Sequence, residues 1–214
     1  MLINHEFDGK MINIDVPEIP DKIKNKTFGS QDIKWIKSVN DSYTSNAYML
    51  TKSLRTEKYD GRVITIAGDL VFCLQAHLPS HQETLNKADP GDLIVLYQKL
   101  EEDEEKNKCF THLVTPIRKG LVDCPYSNKG WNGIWVKIIA ITDNQVKNSI
   151  FAKTDEWRNM PIKNTGSLKN LNYNNSSIYK IDNSENLKGK LVSVEELSAL
   201  QNYIWKKFEK YLRN

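Results

Sequence analysis

The stretch Gly91-Asp92-Leu93-Ile94-Val95-Leu96-Tyr97 limits the fold more than any other part of the chain. Just before it, Asp89-Pro90-Gly91-Asp92 has proline second and glycine third, the residues of a type II turn. A strand then starts at Leu93. An apolar residue at every position implies burial on both faces, as inside a barrel or under a helix. Two distant segments share this character: Trp35-Ile36-Lys37-Ser38 and Gly133-Ile134-Trp135-Val136-Lys137-Ile138-Ile139. Each reads as a strand with an aromatic and a lysine near one end. None carries a catalytic signature. Together they predict a small β-barrel with an aromatic-lined pocket, which points to recognition rather than turnover.

Length and composition are compatible with this. A chain of 214 residues buries a real core, as one elaborated domain or two small ones. Apolar residues make up 39% and charged residues 27%, too apolar a balance for a disordered chain. No apolar run approaches the ~20 residues of a membrane helix. The N-terminal MLINHEFDGK has neither an apolar core nor a small-residue cleavage site, so the expectation is a cytoplasmic protein without membrane contact. The formal charge of +3 conceals an asymmetry. Glu101-Glu102-Asp103-Glu104-Glu105 concentrates five of the 27 acids. Without them, 30 basic residues face 22 acidic ones, a mildly basic surface that permits phosphate contact without requiring it.

The three cysteines, Cys73, Cys109 and Cys124, show no CxxC spacing and read as buried or idle thiols in a reducing compartment. Cys73, His77 and His81 form the only metal-like spacing, and Pro79 argues against the helix that would align the two histidines. No metal or cofactor is expected.

Along the chain, residues 1 to 30 read as an N-terminal arm or edge strand, with Ile12 to Val16 alternating before Pro17 and Pro20. Residues 31 to 214 form the main domain. Its predicted strands include Ile33 to Lys37, Arg62 to Ile66, Leu70 to Ala76, Leu93 to Tyr97, Cys109 to Thr115 and Trp135 to Ile141. The acidic run reads as a hairpin loop. Ser80 with Glu83 predicts a capped helix over His81 to Ala88. Residues 163 to 190 hold seven asparagines and read as a polar insertion. Leu197, Leu200, Ile204, Phe208 and Tyr211 recur at helical spacing after Ser193 and Glu196, a capping box. This C-terminal helix should pack on the barrel.

The strands, in order, resemble a known family. Trp35-Ile36-Lys37-Ser38-Val39-Asn40-Asp41-Ser42-Tyr43 resembles the opening strand of EVE domains, which carries a Trp followed by Lys-Ser-Glu-Pro. Gly91 to Tyr97 resembles their Gly-Asp strand ending in an aromatic. Trp135-Val136-Lys137-Ile138 resembles their later Trp-Val strand, and Gly189-Lys190-Leu191-Val192-Ser193 their closing segment. The chain departs from the pattern in having Val39-Asn40 for Glu-Pro and Gln98 where a histidine often follows the aromatic. The resemblance implies an α+β fold: a PUA-like, EVE-type β-pseudobarrel with flanking helices and a packed C-terminal helix. It is related to YTH readers and to modules that read modified bases. It also implies binding of DNA or RNA through a nucleobase, sometimes a modified one, held in an aromatic pocket.

Such a pocket needs a π-face to stack on and a few polar groups for the base edge. The ligand-binding candidates are Trp35, Lys37, Ser38, Tyr97, Trp131 and Trp135. Trp131 lies among turn residues, where a tryptophan has less core to join. For Trp35 and Trp135, core packing is the competing explanation. Arg118, Lys119 and Lys129 are candidates for phosphate contact, against the plainer reading of surface loops. Trp35, Lys37, Ser38, Tyr97, Trp131 and Trp135 are expected to converge on one concave face at one mouth of the barrel. Two other functions fit less of the sequence. Asp92 followed by Glu104-x-Lys106 resembles a metal-dependent nuclease, although its Glu and Lys fall in the solvated acidic run. A protein-interaction module without nucleic acid is the other. No catalytic residue stands out, so an enzyme is the less favoured class.

Overall fold

The computed structural model describes residues 1–7, 9–39, 62–76, 78–99, 108–126, 131–141, 150–151, 178–181 and 194–213. It is an α+β structure whose core is a mostly antiparallel sheet, with a helix near the C-terminus. An N-terminal hairpin joins β1 (Leu2–Phe7) to β2 (Lys10–Asp15), followed by the short helix α1 (Asp21–Lys24). The main sheet uses β3 (Ile33–Ser38), β4 (Ile64–Ile66), β5 (Asp69–Gln75), β6 (Leu93–Lys99), β7 (Lys108–Pro116), β8 (Val122–Asp123), β9 (Asn132–Ile141), β10 (Ile150–Phe151) and β11 (Ile178–Lys180). Helix α2 (Pro79–Leu85) follows β5, and α3 (Val194–Phe208) follows β11.

The strand order is β11-β3-β6-β7-β9-β5-β4, with β8 also on β9 and β10 on β7. The β3–β6 pair is parallel and the others are antiparallel. Among the described residues no ladder joins β11 to β4, so this sheet does not close into a barrel. It is nonetheless curved. Helix α2 packs on both β9 and β11, four places apart in the sheet. That separation would be ~19 Å on a flat sheet. Seven helical residues span only ~10 Å, so the sheet bends around α2.

The central position of β6 explains its unbroken apolar run. Ile94 and Leu96 face α2, in a cluster with Trp35, Phe72, Leu74, Leu85, Val114, Val136 and Ile138. Leu93 and Val95 face the other way, against Leu200, Ile204 and Phe208 of α3. The predicted helix face is therefore the buried one, and Leu197 packs at its edge. Ser193 and the Glu196 side chain lie outside the described residues. The type II turn is present: Asp92 N–H donates to the Asp89 carbonyl (2.9 Å), and Gly91 has φ +103°. Helix α2 starts at Pro79, not after a Ser80 cap. Proline suits the first helical position because its missing N–H would have no partner there.

The N-terminal segment is more than an arm. Ile14, Val16, Ile19 and Ile23 cover the far end of the sheet's α3 side. They pack there with Val71, Cys73, Ile117 and Trp135. Gly133 marks a close approach within that region. A Cβ added there would lie 2.4 Å from the Leu74 carbonyl oxygen and 2.9 Å from Cys73 Sγ. Gly133→Ala should push β9 off β5 and cost ~1–3 kcal/mol of stability. An unchanged urea midpoint would show that this contact relaxes freely.

β6 and β7 pair from Ile94↔Val114 to Lys99↔Lys108, as expected of strands flanking the acidic run. The run itself and the Asn-rich segment lie outside the described residues, apart from Ile178–Ile181. No helix among the described residues is long and apolar enough to cross a membrane.

Candidate functional site

Strand β3 carries the densest set of candidates. Trp35 sits opposite Ile94 of β6 and Lys180 of β11, and it is buried in the α2-side cluster. Its indole Nε1–H donates to Asp92 Oδ2 (2.9 Å). The same carboxylate oxygen accepts the Asp89 N–H (3.0 Å). Asp92 therefore holds the turn and orients the tryptophan. The Lys180 ammonium lies 5.9 Å from the Trp35 ring centroid, within cation–π range.

Lys37 is two residues on, so strand alternation puts it on the same face. It is 1% exposed, and burial lowers its amine from 10.5 to about 7. A strand lysine normally reaches solvent along its flexible stem, and this one does not. Across from it, His81 of α2 is held below its ordinary value, first by burial and then by the nearby Lys37 charge. His81 Nδ1 is buried without a hydrogen-bond partner among the described residues. A potential cation and an imidazole thus lie beside the apolar cluster that α2 covers. The sequence reading missed His81 in this role, because its spacing to His77 suggested a metal. His77 lies outside the described residues.

Ser38 and Tyr97 are neighbours in the parallel β3–β6 register, so their backbones share one end of the sheet. Their side chains lie outside the described set. Trp135 is brought to a different place. It is buried on the opposite face with Val71, Cys73 and Ile14, so it does not converge with Trp35. The expected meeting of all six residues is thus not what the sheet builds. The alternation along β9 places Ile134, Val136 and Ile138 toward α2 and Trp135 away from it. Trp131 precedes β9 and is half-buried; its carbonyl accepts the Cys124 N–H (3.0 Å). The residue that reaches toward α2 here is Asn132, whose Nδ2–H donates to Gln82 Oε1 (3.5 Å).

The basic candidates also separate. Lys119 Nζ donates to the carbonyls of Asn86 (3.3 Å) and Lys87 (3.0 Å) and pairs with Asp89 (2.8 Å). An ammonium has three donors, and all three are matched. Lys119 therefore ties down the end of α2, where cations suit the unpaired carbonyls. Arg118 is exposed. Lys129 lies outside the described residues, as do Glu104 and Lys106. Among the described residues no three His, Cys, Asp or Glu side chains group as metal ligands.

Comparison with family models, curated proteins and solved structures gives no match.

Proposed function

We propose that the curved sheet and α2 form a PUA-like pseudobarrel of EVE type that binds DNA or RNA by capturing a nucleobase, plain or modified. The observation that carries this reading is the buried Lys37 facing His81 beside Trp35. Polar groups desolvated in an apolar cluster are costly to a fold. Such groups with shifted titration are characteristic of binding sites. Lys37 supplies donors and His81 either a donor or an acceptor, the complement of a base edge. Trp35 forms an aromatic wall held by Asp92. Trp131, half-buried just before β9 and not directed toward α2, is proposed to stack on a neighbouring base of the same strand rather than on the captured one, and Arg118 is the exposed cation proposed to meet a phosphate. The engagement of Asp92 with Trp35 and Asp89 favours this reading over a metal-dependent nuclease.

Stacking on a tryptophan is worth ~1–3 kcal/mol per base. Trp131→Ala should weaken oligonucleotide binding by that amount at fixed salt. Arg118→Ala should instead flatten the salt dependence. The measurement is a titration with oligonucleotides carrying plain and methylated bases at two salt concentrations. If Trp131→Ala binds as tightly as the parent, Trp131 is not the stacking residue.

A further inference from the structure

A second cluster lies on the opposite face of the sheet, under the N-terminal hairpin. Cys73 of β5 and Cys124, just beyond β8, are 51 residues apart in sequence and both buried in the same apolar group. Their sulfurs lie within interaction range of each other. The Gln75 amide also donates to Cys124 Sγ. The absent side chain of Gly133 leaves room for this meeting, since Cys73 Sγ stands 2.9 Å from where its Cβ would be. The two sulfurs differ in character. Cys124 is drawn below the ordinary thiol range, first by the Cys73 side chain; the Tyr126 backbone, Gln75 and the Arg62 charge add to this against the effect of burial. Cys73 is raised, by the Cys124 side chain, by burial and by the charge on Cys124. One sulfur is thus surrounded by donors, and a thiol stands beside it.

We propose that Cys124 and Cys73 are an oxidisable pair, with Cys124 the attacking sulfur and Cys73 the resolving one, closing to a disulfide when a hydroperoxide reaches them. The thiolate is the nucleophile in such chemistry, and donors around a sulfur favour it. Cys124 attacks one peroxide oxygen and the O–O bond breaks. This leaves a sulfenic acid, and the other oxygen departs as hydroxide and takes up a proton. Cys73 then attacks the Cys124 sulfur. The S–S bond forms, the S–O bond breaks, and the departing oxygen leaves with the Cys73 proton as water. The two thiols together lose two electrons, and the peroxide gains them. The bond would link β5 to the segment whose Cys124 N–H holds the Trp131 carbonyl.

The test uses the full chain with Cys109→Ser, which leaves Cys73 and Cys124 as its thiols. The folded protein is treated with hydrogen peroxide, its remaining thiols are alkylated under denaturing conditions, and it is digested without reductant. The expected product is a linked pair of peptides containing Cys73 and Cys124, with the mass of two hydrogens lost and reversal by dithiothreitol. In a second variant, Cys73→Ser with Cys109→Ser, a dimedone adduct should appear at Cys124 and no internal link should form. Recovery of both thiols in the first variant overturns the proposal, as does oxidation of either sulfur without the link. A dimedone adduct on Cys73 but not Cys124, in the matching single-thiol variants, would overturn the assignment of roles.

Discussion

Lys37→Met should make the protein markedly more stable near neutral and acid pH, and the gain should vanish in alkali. The amine is lowered to about 7 in the folded chain against an ordinary value of 10.5. Between those values the unfolded chain binds the extra proton, so stability rises with pH across this window. Below about 7 both states are protonated and the folded chain carries a desolvated cation. The difference in pKa corresponds to roughly 5 kcal/mol between the two ends of the window. Methionine fills similar space without the charge. Urea unfolding of both proteins at about pH 6 and about pH 10 measures this. The variant's advantage should be several kcal/mol larger at the lower pH. Parallel pH profiles would show that Lys37 is solvated or compensated in the folded protein.

Phe208→Ala should lower stability by ~3–5 kcal/mol, the range for removing a buried aromatic ring. Phe208 is fully buried near the end of α3, in the cluster that holds Ile33, Leu93, Val95, Leu200 and Ile204. Its removal would leave a cavity beneath the only long helix among the described residues. A melting curve indistinguishable from the parent's would refute the packing of α3 on this face.

These two residues mark what the sequence reveals and what it conceals. The spacing of Leu200, Ile204 and Phe208 is helical and their chemistry is uniformly apolar, so face and partner follow from local pattern. The same holds for Leu93 to Leu96, whose unbroken run requires cover on both sides. The turn at Asp89–Asp92 needs only proline and glycine at adjacent positions. Lys37 is different. A lysine in a strand ordinarily signals solvent, and only the arrival of α2 and β11 from elsewhere in the chain buries it. His81 beside it and Cys124 beside Cys73 are likewise products of tertiary placement. Lys119 looks like any surface cation until the end of α2 is seen beneath it. Trp135 shows the limit of motif reading: its strand is where expected, but one step of alternation sends it to the opposite face from Trp35. The hairpin β1–β2 carries little apolar signal, since β1 has no buried position and β2 one.

The proposed capture of a base where Lys37 faces His81 is decided by titrating Lys37→Met and the parent with one labelled oligonucleotide, and with its abasic counterpart, at fixed salt. Because the variant is expected to be the more stable protein, weaker binding cannot come from unfolding. The parent should bind the base-bearing strand more tightly than the abasic one, and Lys37→Met should lose this preference, at a cost of about tenfold or more in affinity. Equal binding of the two strands by the parent, or an undiminished preference in Lys37→Met, would contradict it.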